Sequence, residues 1–268
     1  MPQSSEQPVR DHPEQPVVDI VIPVYDEGGN ILPALESLRT NLRHPARVLI
    51  CYDRDDDTTL PALEGYDAAP IQVCLVKNQG RGVLGAVTTG LRRSVAPCVI
   101  TMPADDDYNA ARLNEMIELI QEGYDIVTPS RFMPGGGGLV GCPFMKAMIV
   151  RVAAWFMWNV ARLPTHDASN GFRVFSRRTI EQIPIESERG FAYSIELLVK
   201  AHRLGWRITE RPVAWHQRKT GQSRFHIVRW LPQYIEWLTY ALATTYLRRS
   251  ASSVKLRDKN EWLPARSA

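Results

Sequence analysis

Five short runs in the first half of the chain are apolar at nearly every position: 17–25 (VVDIVIPVY), 46–53 (ARVLICYD), 71–78 (IQVCLVKN), 96–103 (APCVITMP) and 124–130 (YDIVTPS). Helix-like patterns fill the gaps, near 30–42, 56–65, 80–94 and 109–122. Runs that are apolar throughout, instead of alternating, suit parallel strands covered on both faces. Strand and helix in steady alternation predict an α/β fold built on a doubly wound, mostly parallel sheet. Such sheets bind ligands at the carboxyl ends of their strands. That rule selects Tyr25-Asp26-Glu27, the segments 53–57, 78–82 and 105–107, and Ser130-Arg131.

After residue 131 the regularity ends. The glycine-rich segment 133–141 (MPGGGGLVG) is expected to lack a fixed shape without a partner. An apolar helix-like stretch follows at 143–162, then a strand and turn at 171–182, a helix at 191–204 and a strand at 206–214. A last helix is predicted over 225–247, where Ile227, Trp230, Leu231, Tyr234, Trp237, Leu238 and Ala241 recur at three- and four-residue spacings. It reads either as an interfacial helix, its Trp and Tyr at the headgroup level of a membrane, or as a helix packed on its own domain or on a second copy of the chain. The expected organisation is a flexible leader (1–16), one globular domain (17–225), this amphipathic helix (226–247) and a mobile basic tail (248–268).

Composition narrows the class. With 268 residues and 44% hydrophobic content the chain can bury one full-sized core. Lys+Arg 32 against Asp+Glu 29 leaves a net charge of +3, which excludes both a nucleic-acid binder working by bulk charge and an acidic disordered chain. Local charge differs: 203–229 holds seven basic residues and one acid. The apolar stretch 147–161 is interrupted by Arg151 and Asn159 and is too short to span a bilayer. The leader has four prolines and no apolar segment of the kind that directs secretion. A cytoplasmic protein, soluble or peripheral on the inner face of the membrane, is expected. Cys51, Cys74, Cys98 and Cys142 show no ligand spacing and read as reduced core thiols.

The sharpest chemical signal is TMPADDDYN (101–109), where a strand delivers three aspartates to the ligand edge. Packed carboxylates repel unless a cation lies among them, and Mg²⁺ or Mn²⁺ prefers oxygen ligands shared with phosphates. In an extended loop Asp105 and Asp107 reach the same ion while Asp106 points away. The same acids also suit the positive end of a helix starting near Asn109. Acidic clusters at neighbouring strand ends, VYDEGGN and CYDRDDDTT, offer acceptors for ribose hydroxyls and base N–H groups. NQGRGVLGA follows the third strand and not the first, so the dinucleotide fingerprint is absent, as are the phosphate-binding lysine loop and the nucleophilic-serine elbow.

Taken together, IPVYDEGGNI, DDTT, NQGRGVLGAVTTG, MPADDDYN, YDIVTPSRF, DASNGFRVFSRR, GFAYSIELLVKAHRLGWRI and WHQRKTGQSRF resemble, in order and spacing, family 2 glycosyltransferases of the GT-A fold, and most closely their dolichyl- or polyprenyl-phosphate branch. The resemblance implies a metal-dependent, inverting transfer from a nucleotide-diphosphate sugar, GDP- or UDP-linked, to a polyprenyl phosphate. It places Pro23, Tyr25, Glu27 and Asp53 around the nucleotide base, and Asn78, Gly82 and Ala104 at the nucleoside and sugar. Asp105 and Asp107 become the metal pair, with Asp106 as substitute. Pro103 stands where the family has its first aspartate, and Tyr52 and Arg54-Asp55 also depart from its pattern. Arg131, with Lys146, would hold the acceptor phosphate, although Val150 replaces a frequent hydroxyl; Arg218 and Arg224 would hold the donor diphosphate.

Two acidic residues are left for proton chemistry. A hydroxyl acceptor needs a carboxylate base, for which Asp167 and Glu196 are the candidates; a lipid phosphate arrives ionised and needs none. Asp167 also reads as a turn cap, and Glu196 as the partner of a neighbouring arginine. A soluble or glycan hydroxyl acceptor, or a silent nucleotide-sugar-binding module, are the alternatives to lipid transfer. His166, His202, His216 and His226 lack ligand spacing and are expected to decorate the basic surface.

Overall fold

The structure, a computed structural model, describes residues 15–218 and 227–258, the side chains of 227–230 excepted. Most of the expected leader, Arg224, His226 and the last ten residues lie outside them.

The predicted alternation is observed: β1 (Val18–Pro23), α1 (Ile31–Asn41), β2 (Ala46–Tyr52), α2 (Thr59–Leu63), β3 (Gln72–Lys77), α3 (Gly82–Arg93), β4 (Cys98–Thr101), α4 (Ala110–Gln121) and β5 (Ile126–Ser130). There follow β6 (Gly138–Val140), α5 (Phe144–Asn159), β7 (Arg173–Ser176), α6 (Arg177–Gln182), α7 (Ala192–Arg203), β8 (Ile208–Pro212), β9 (Ala214–His216) and α8 (Ile227–Tyr246). Seven strands form one sheet in the order β3-β2-β1-β4-β7-β5-β8. All neighbours are parallel except β7, which runs antiparallel between β4 and β5.

Strand periodicity distributes the core over both faces. Ile20 and Ile22 of β1, Val48 and Ile50 of β2 and Ile100 of β4 pack with α1 and α4. Val21, Leu49 and Val99 pack on the other side with α3, α7 and α8. Gly90 lets α3 approach closely: a Cβ there would lie 2.4 Å from Val21 Cγ1 and 2.8 Å from Cys51 Sγ. The one acid inside β1, Asp19, is fully buried and compensated by Arg47 (2.8 and 3.0 Å) and by the Val95 and Ala96 N–H groups (2.6 and 2.9 Å).

Two expectations change, and of the two readings of the last helix the packed one is observed. The glycine-rich segment does find a partner: β6 pairs in parallel with β9, Leu139 opposite Trp215. The aromatic face of α8 packs on its own domain: Trp237 is buried, its indole N–H donates to Ser187 Oγ at 2.9 Å, and the Tyr234 hydroxyl is also buried. The most exposed apolar face belongs instead to α5, where Phe144 (78% exposed), Met145, Met148, Ile149, Val152 and Trp155 (61%) project outward. Finally, of the four free cysteines only Cys51 and Cys98 are buried. Among the described residues no helix is long and apolar enough to cross a membrane.

Candidate active site

The carboxyl ends of β1 to β5 share one edge of the sheet, and the candidate residues meet there. β1 ends at Pro23, and the chain turns through Asp26, which adopts a left-handed φ of 54°. Buried Asp57 accepts the Asp26 N–H on both carboxylate oxygens at 3.1 Å and the Thr59 N–H at 2.9 Å. Thr59 Oγ1 in turn accepts the Glu27 N–H at 3.0 Å, which joins the turns after β1 and β2. Tyr25 stays exposed, with Arg54 over its ring and donating to its hydroxyl at 3.1 Å. The other acids of the second cluster serve the surface: Asp55 pairs with Lys77 and Asp56 with Arg54.

Asp53, Asn78 and Gly82 come together as expected. The Asp53 carboxylate accepts from Asn78 Nδ2 and from the Gly82 N–H (3.1 Å), while Asn78 Oδ1 accepts the Gly80 N–H at 2.7 Å. Gly85 sits against this loop so closely that a Cβ would lie 2.9 Å from the Gly80 carbonyl carbon and 3.0 Å from Asn78 Oδ1.

Beyond β4 the three aspartates diverge. Asp106 turns inward and accepts the Tyr108 and Asn109 N–H groups (3.2 and 3.1 Å) and Asn109 Nδ2 (2.9 Å), the helix-end role open to this cluster. Its burial pushes the carboxyl up despite those bonds. Asp105 faces the ligand edge and meets Arg218, whose Nε and Nη2 donate at 3.1 and 3.0 Å. Arg218 Nη2 also donates to Glu27 Oε1 at 3.1 Å, so one guanidinium bridges the ends of β1 and β4. Burial works against that charge, but Asp105 and Glu27 outweigh it and hold Arg218 above its ordinary value. Asp107 is half-buried, and Ala104 is buried. Among the described residues no three His, Cys, Asp or Glu side chains gather as a ready metal cluster. Any ion at Asp105 and Asp107 therefore completes its shell with oxygens from elsewhere, as Mg²⁺ commonly does with phosphate and water.

Arg131, directly after β5, forms a fork on Asp167: Nε and Nη2 donate to its two oxygens at 2.6 and 2.8 Å, and the Arg131 N–H adds a third bond at 3.0 Å. Asp167 is 0% exposed. Glu196 is equally buried and accepts the Glu186 and Ser187 N–H groups (2.6 and 2.8 Å) and Lys200 Nζ (2.6 Å). Neither is an open carboxylate: Asp167 fixes Arg131, and Glu196 closes the loop before α7 with a lysine and not an arginine. Arg131 Nη1 makes no bond among the described residues. Lys146 lies over the Trp215 ring at 5.7 Å. The histidines are less free than their spacing suggests, His166 pairing with Glu210 at 2.5 Å and His216 stacking on Tyr108 at 3.9 Å.

Glycosyl transferase family 2 describes residues 19–183, well over half of the chain. This protein is a family 2 glycosyltransferase. The family 2 chain is 24% identical over 229 residues to the polyprenol monophosphomannose synthase of Mycolicibacterium smegmatis, spanning 82% of this chain and 85% of that protein. It is 28% identical over 207 residues to an uncharacterized glycosyltransferase of Mycobacterium tuberculosis, spanning 77% and 88%. Among solved structures, glucosyl-3-phosphoglycerate synthase from Mycobacterium tuberculosis in complex with UDP superposes with a TM-score of 0.60 at 15% identity, covering 85% of this chain and 80% of that one. The same enzyme with Mn²⁺, UDP and glucosyl-3-phosphoglycerate gives 0.58 at 16% identity, covering 87% and 80%. The α/β GT-A architecture is thus the fold of this glycosyltransferase.

Two residues that build the site were given no role by the sequence beyond their place in longer motifs. Arg173 of β7 is fully buried, and desolvation lowers it to about 10. Its Nη2 donates to the Ala168 and Asn170 carbonyls, each at 2.9 Å, holding the loop that carries Asp167. Asn109 pairs with Ala214 in both directions (2.8 and 3.2 Å), docking β9 beside the aspartates. An interior arginine and a backbone-mimicking asparagine look like any others of their type until the fold surrounds them.

Proposed function

We propose that this glycosyltransferase moves a sugar from a GDP- or UDP-linked donor to a polyprenyl phosphate with inversion, working peripherally on the cytoplasmic face of a membrane. In the reaction a phosphate oxygen of the acceptor attacks the anomeric carbon. The bond from that carbon to the donor diphosphate breaks, and its electron pair leaves on the diphosphate. The observation that carries the reading is the state of the two candidate bases: Asp167 and Glu196 are both buried and engaged in ion pairs. An acceptor that brings its own charge needs neither. Arg131, oriented by Asp167, offers its remaining N–H groups to the acceptor phosphate, a guanidinium task that lysine performs less well. The outward apolar face of α5, with exposed Arg151 upon it, suits an anionic lipid surface.

Tyr25, Glu27, Asp53, Asn78 and Gly82 would bind the nucleoside end of the donor, and Arg218 and Arg224 its diphosphate. Asp105 and Asp107 supply hard oxygen donors fit for Mg²⁺ or Mn²⁺, which when bound would stabilise charge on the departing diphosphate. The Mycolicibacterium smegmatis relative supports the lipid acceptor by its name, and the Mn²⁺–UDP complexes of the solved neighbour support the cation.

The test assays transfer to polyprenyl phosphate and to soluble hydroxyl acceptors, with sedimentation on anionic vesicles alongside. Arg131→Lys should raise KM for polyprenyl phosphate at least tenfold with donor binding kept, and Ile149→Glu with Val152→Glu should release the protein from vesicles. Transfer to a soluble hydroxyl acceptor only, with vesicles ignored by the unaltered protein, would overturn the reading.

A further inference from the structure

Arg218 occupies the place a cation would take. Its guanidinium lies between Asp105 and Glu27 at 3.0 and 3.1 Å, and the three side chains are only 21%, 16% and 13% exposed. Two carboxylates brought this close in a partly desolvated edge repel, and Arg218 is the charge that offsets them here. A divalent ion on Asp105 would face that guanidinium as a near neighbour of like sign. Ion and guanidinium cannot both be favourable on Asp105 unless further negative charge enters.

The donor brings that charge. A diphosphate offers Arg218 new oxygen partners of the geometry guanidinium prefers, and would offer the ion hard oxygen ligands. We propose that Arg218 is a stand-in cation that makes divalent-ion capture at Asp105 conditional on the nucleoside diphosphate: it closes the carboxylates while the donor is absent and passes to the diphosphate when the donor arrives. The inference rests on the metal and donor roles given above to Asp105 and Arg218, and adds the coupling between them. Arg218 thereby acts first as a positioning residue, since it holds Glu27 and Asp105 in register across the ends of β1 and β4. Coupling of this kind is reciprocal, so the ion must tighten the diphosphate by the same factor.

The experiment titrates Mn²⁺ into the full chain, followed by the loss of the free-ion electron paramagnetic resonance signal, without nucleotide and with GDP or UDP at saturation. The unaltered protein should bind Mn²⁺ at least tenfold more tightly when the matching diphosphate is present. Arg218→Gln, which keeps hydrogen bonding but removes charge, should bind Mn²⁺ alone about tenfold more tightly than the unaltered protein, so that its gain from the diphosphate is about tenfold smaller. Arg218→Lys, which keeps the charge, should stay weak for Mn²⁺ alone. Thermal melts of each variant report whether the fold is retained, and the lysine variant tests the charge even if the glutamine variant is unstable. Should Mn²⁺ bind with the diphosphate while Arg218→Gln leaves both affinities unchanged, the stand-in role is wrong and the metal reading survives. No Mn²⁺ binding under either condition in the unaltered protein removes the metal reading and this proposal with it.

Discussion

Replacing Asp167 separates an anchoring carboxylate from a catalytic base. Its side chain is fully buried, Arg131 is 11% exposed, and the pair shares two side-chain hydrogen bonds of 2.6 and 2.8 Å. Removing one partner of such a pair strands a charge in the interior, at a cost of about 3–5 kcal/mol. For a domain of this size that corresponds to a fall of roughly 6–20 °C in Tm, taking about 2–4 °C per kcal/mol. Asp167→Asn, which keeps an acceptor oxygen, should fall at the lower end and Asp167→Ala at the upper. Because the cost is that of an unpaired charge, Arg131→Met combined with Asp167→Leu should recover most of the lost stability while leaving transfer dead. Urea unfolding followed by tryptophan fluorescence measures each step. An Asp167→Asn variant within about 0.5 kcal/mol of the unaltered protein, the range of a neutral surface change, yet crippled in turnover with a hydroxyl acceptor, would refute the anchoring argument and restore the base.

Two further outcomes follow from packing and burial. Gly85→Ala gains up to about 1 kcal/mol of helix propensity but presses a Cβ onto the Gly80 backbone 2.9 Å away; overpacking of about 1–3 kcal/mol wins, so the affinity for the nucleoside diphosphate should drop in calorimetric titration. Burial pushes the Cys51 thiol up to about 12 and Cys98 up as well, which keeps both protonated at pH 8. Iodoacetamide should therefore alkylate Cys74 and Cys142 in the folded protein and reach Cys51 and Cys98 only in urea, as peptide mass spectrometry will record.

What could be read from the chain was what depends on neighbours close in sequence or on periodicity. β1, β2, β4 and β5 are legible because both faces of each strand are covered, leaving no polar alternation to confuse the pattern, and the edge strand β3 is legible by its apolar run although it is partly exposed. Asp53, Asn78 and Gly82 were placed together because strand ends in a parallel sheet share an edge. The Arg131–Asp167 fork was not legible: thirty-six residues separate its members, and either one alone looks like surface charge or a turn cap. The apolar stripe of α8 does not say by itself what covers it, and here α7 does. For α5 the apolar pattern is equally silent about its cover. Its uniform apolarity resembles a buried helix, yet much of that surface is bare.

The small β6–β9 sheet has a consequence for engineering. It stitches the segment following Arg131 to the segment leading to Arg218, with Gly138 opposite Ala214 and Val140 opposite His216. Its tolerance is narrow, since a Cβ on Gly137 would lie 2.5 Å from Ala214 Cβ. Under the roles proposed for Arg131 and Arg218, acceptor and donor contacts lie on two stretches of chain about seventy residues apart that must match edge to edge. A chimera that exchanges 131–141 alone imports a strand without its mate; one that exchanges 131–141 together with 212–218 carries the seam intact.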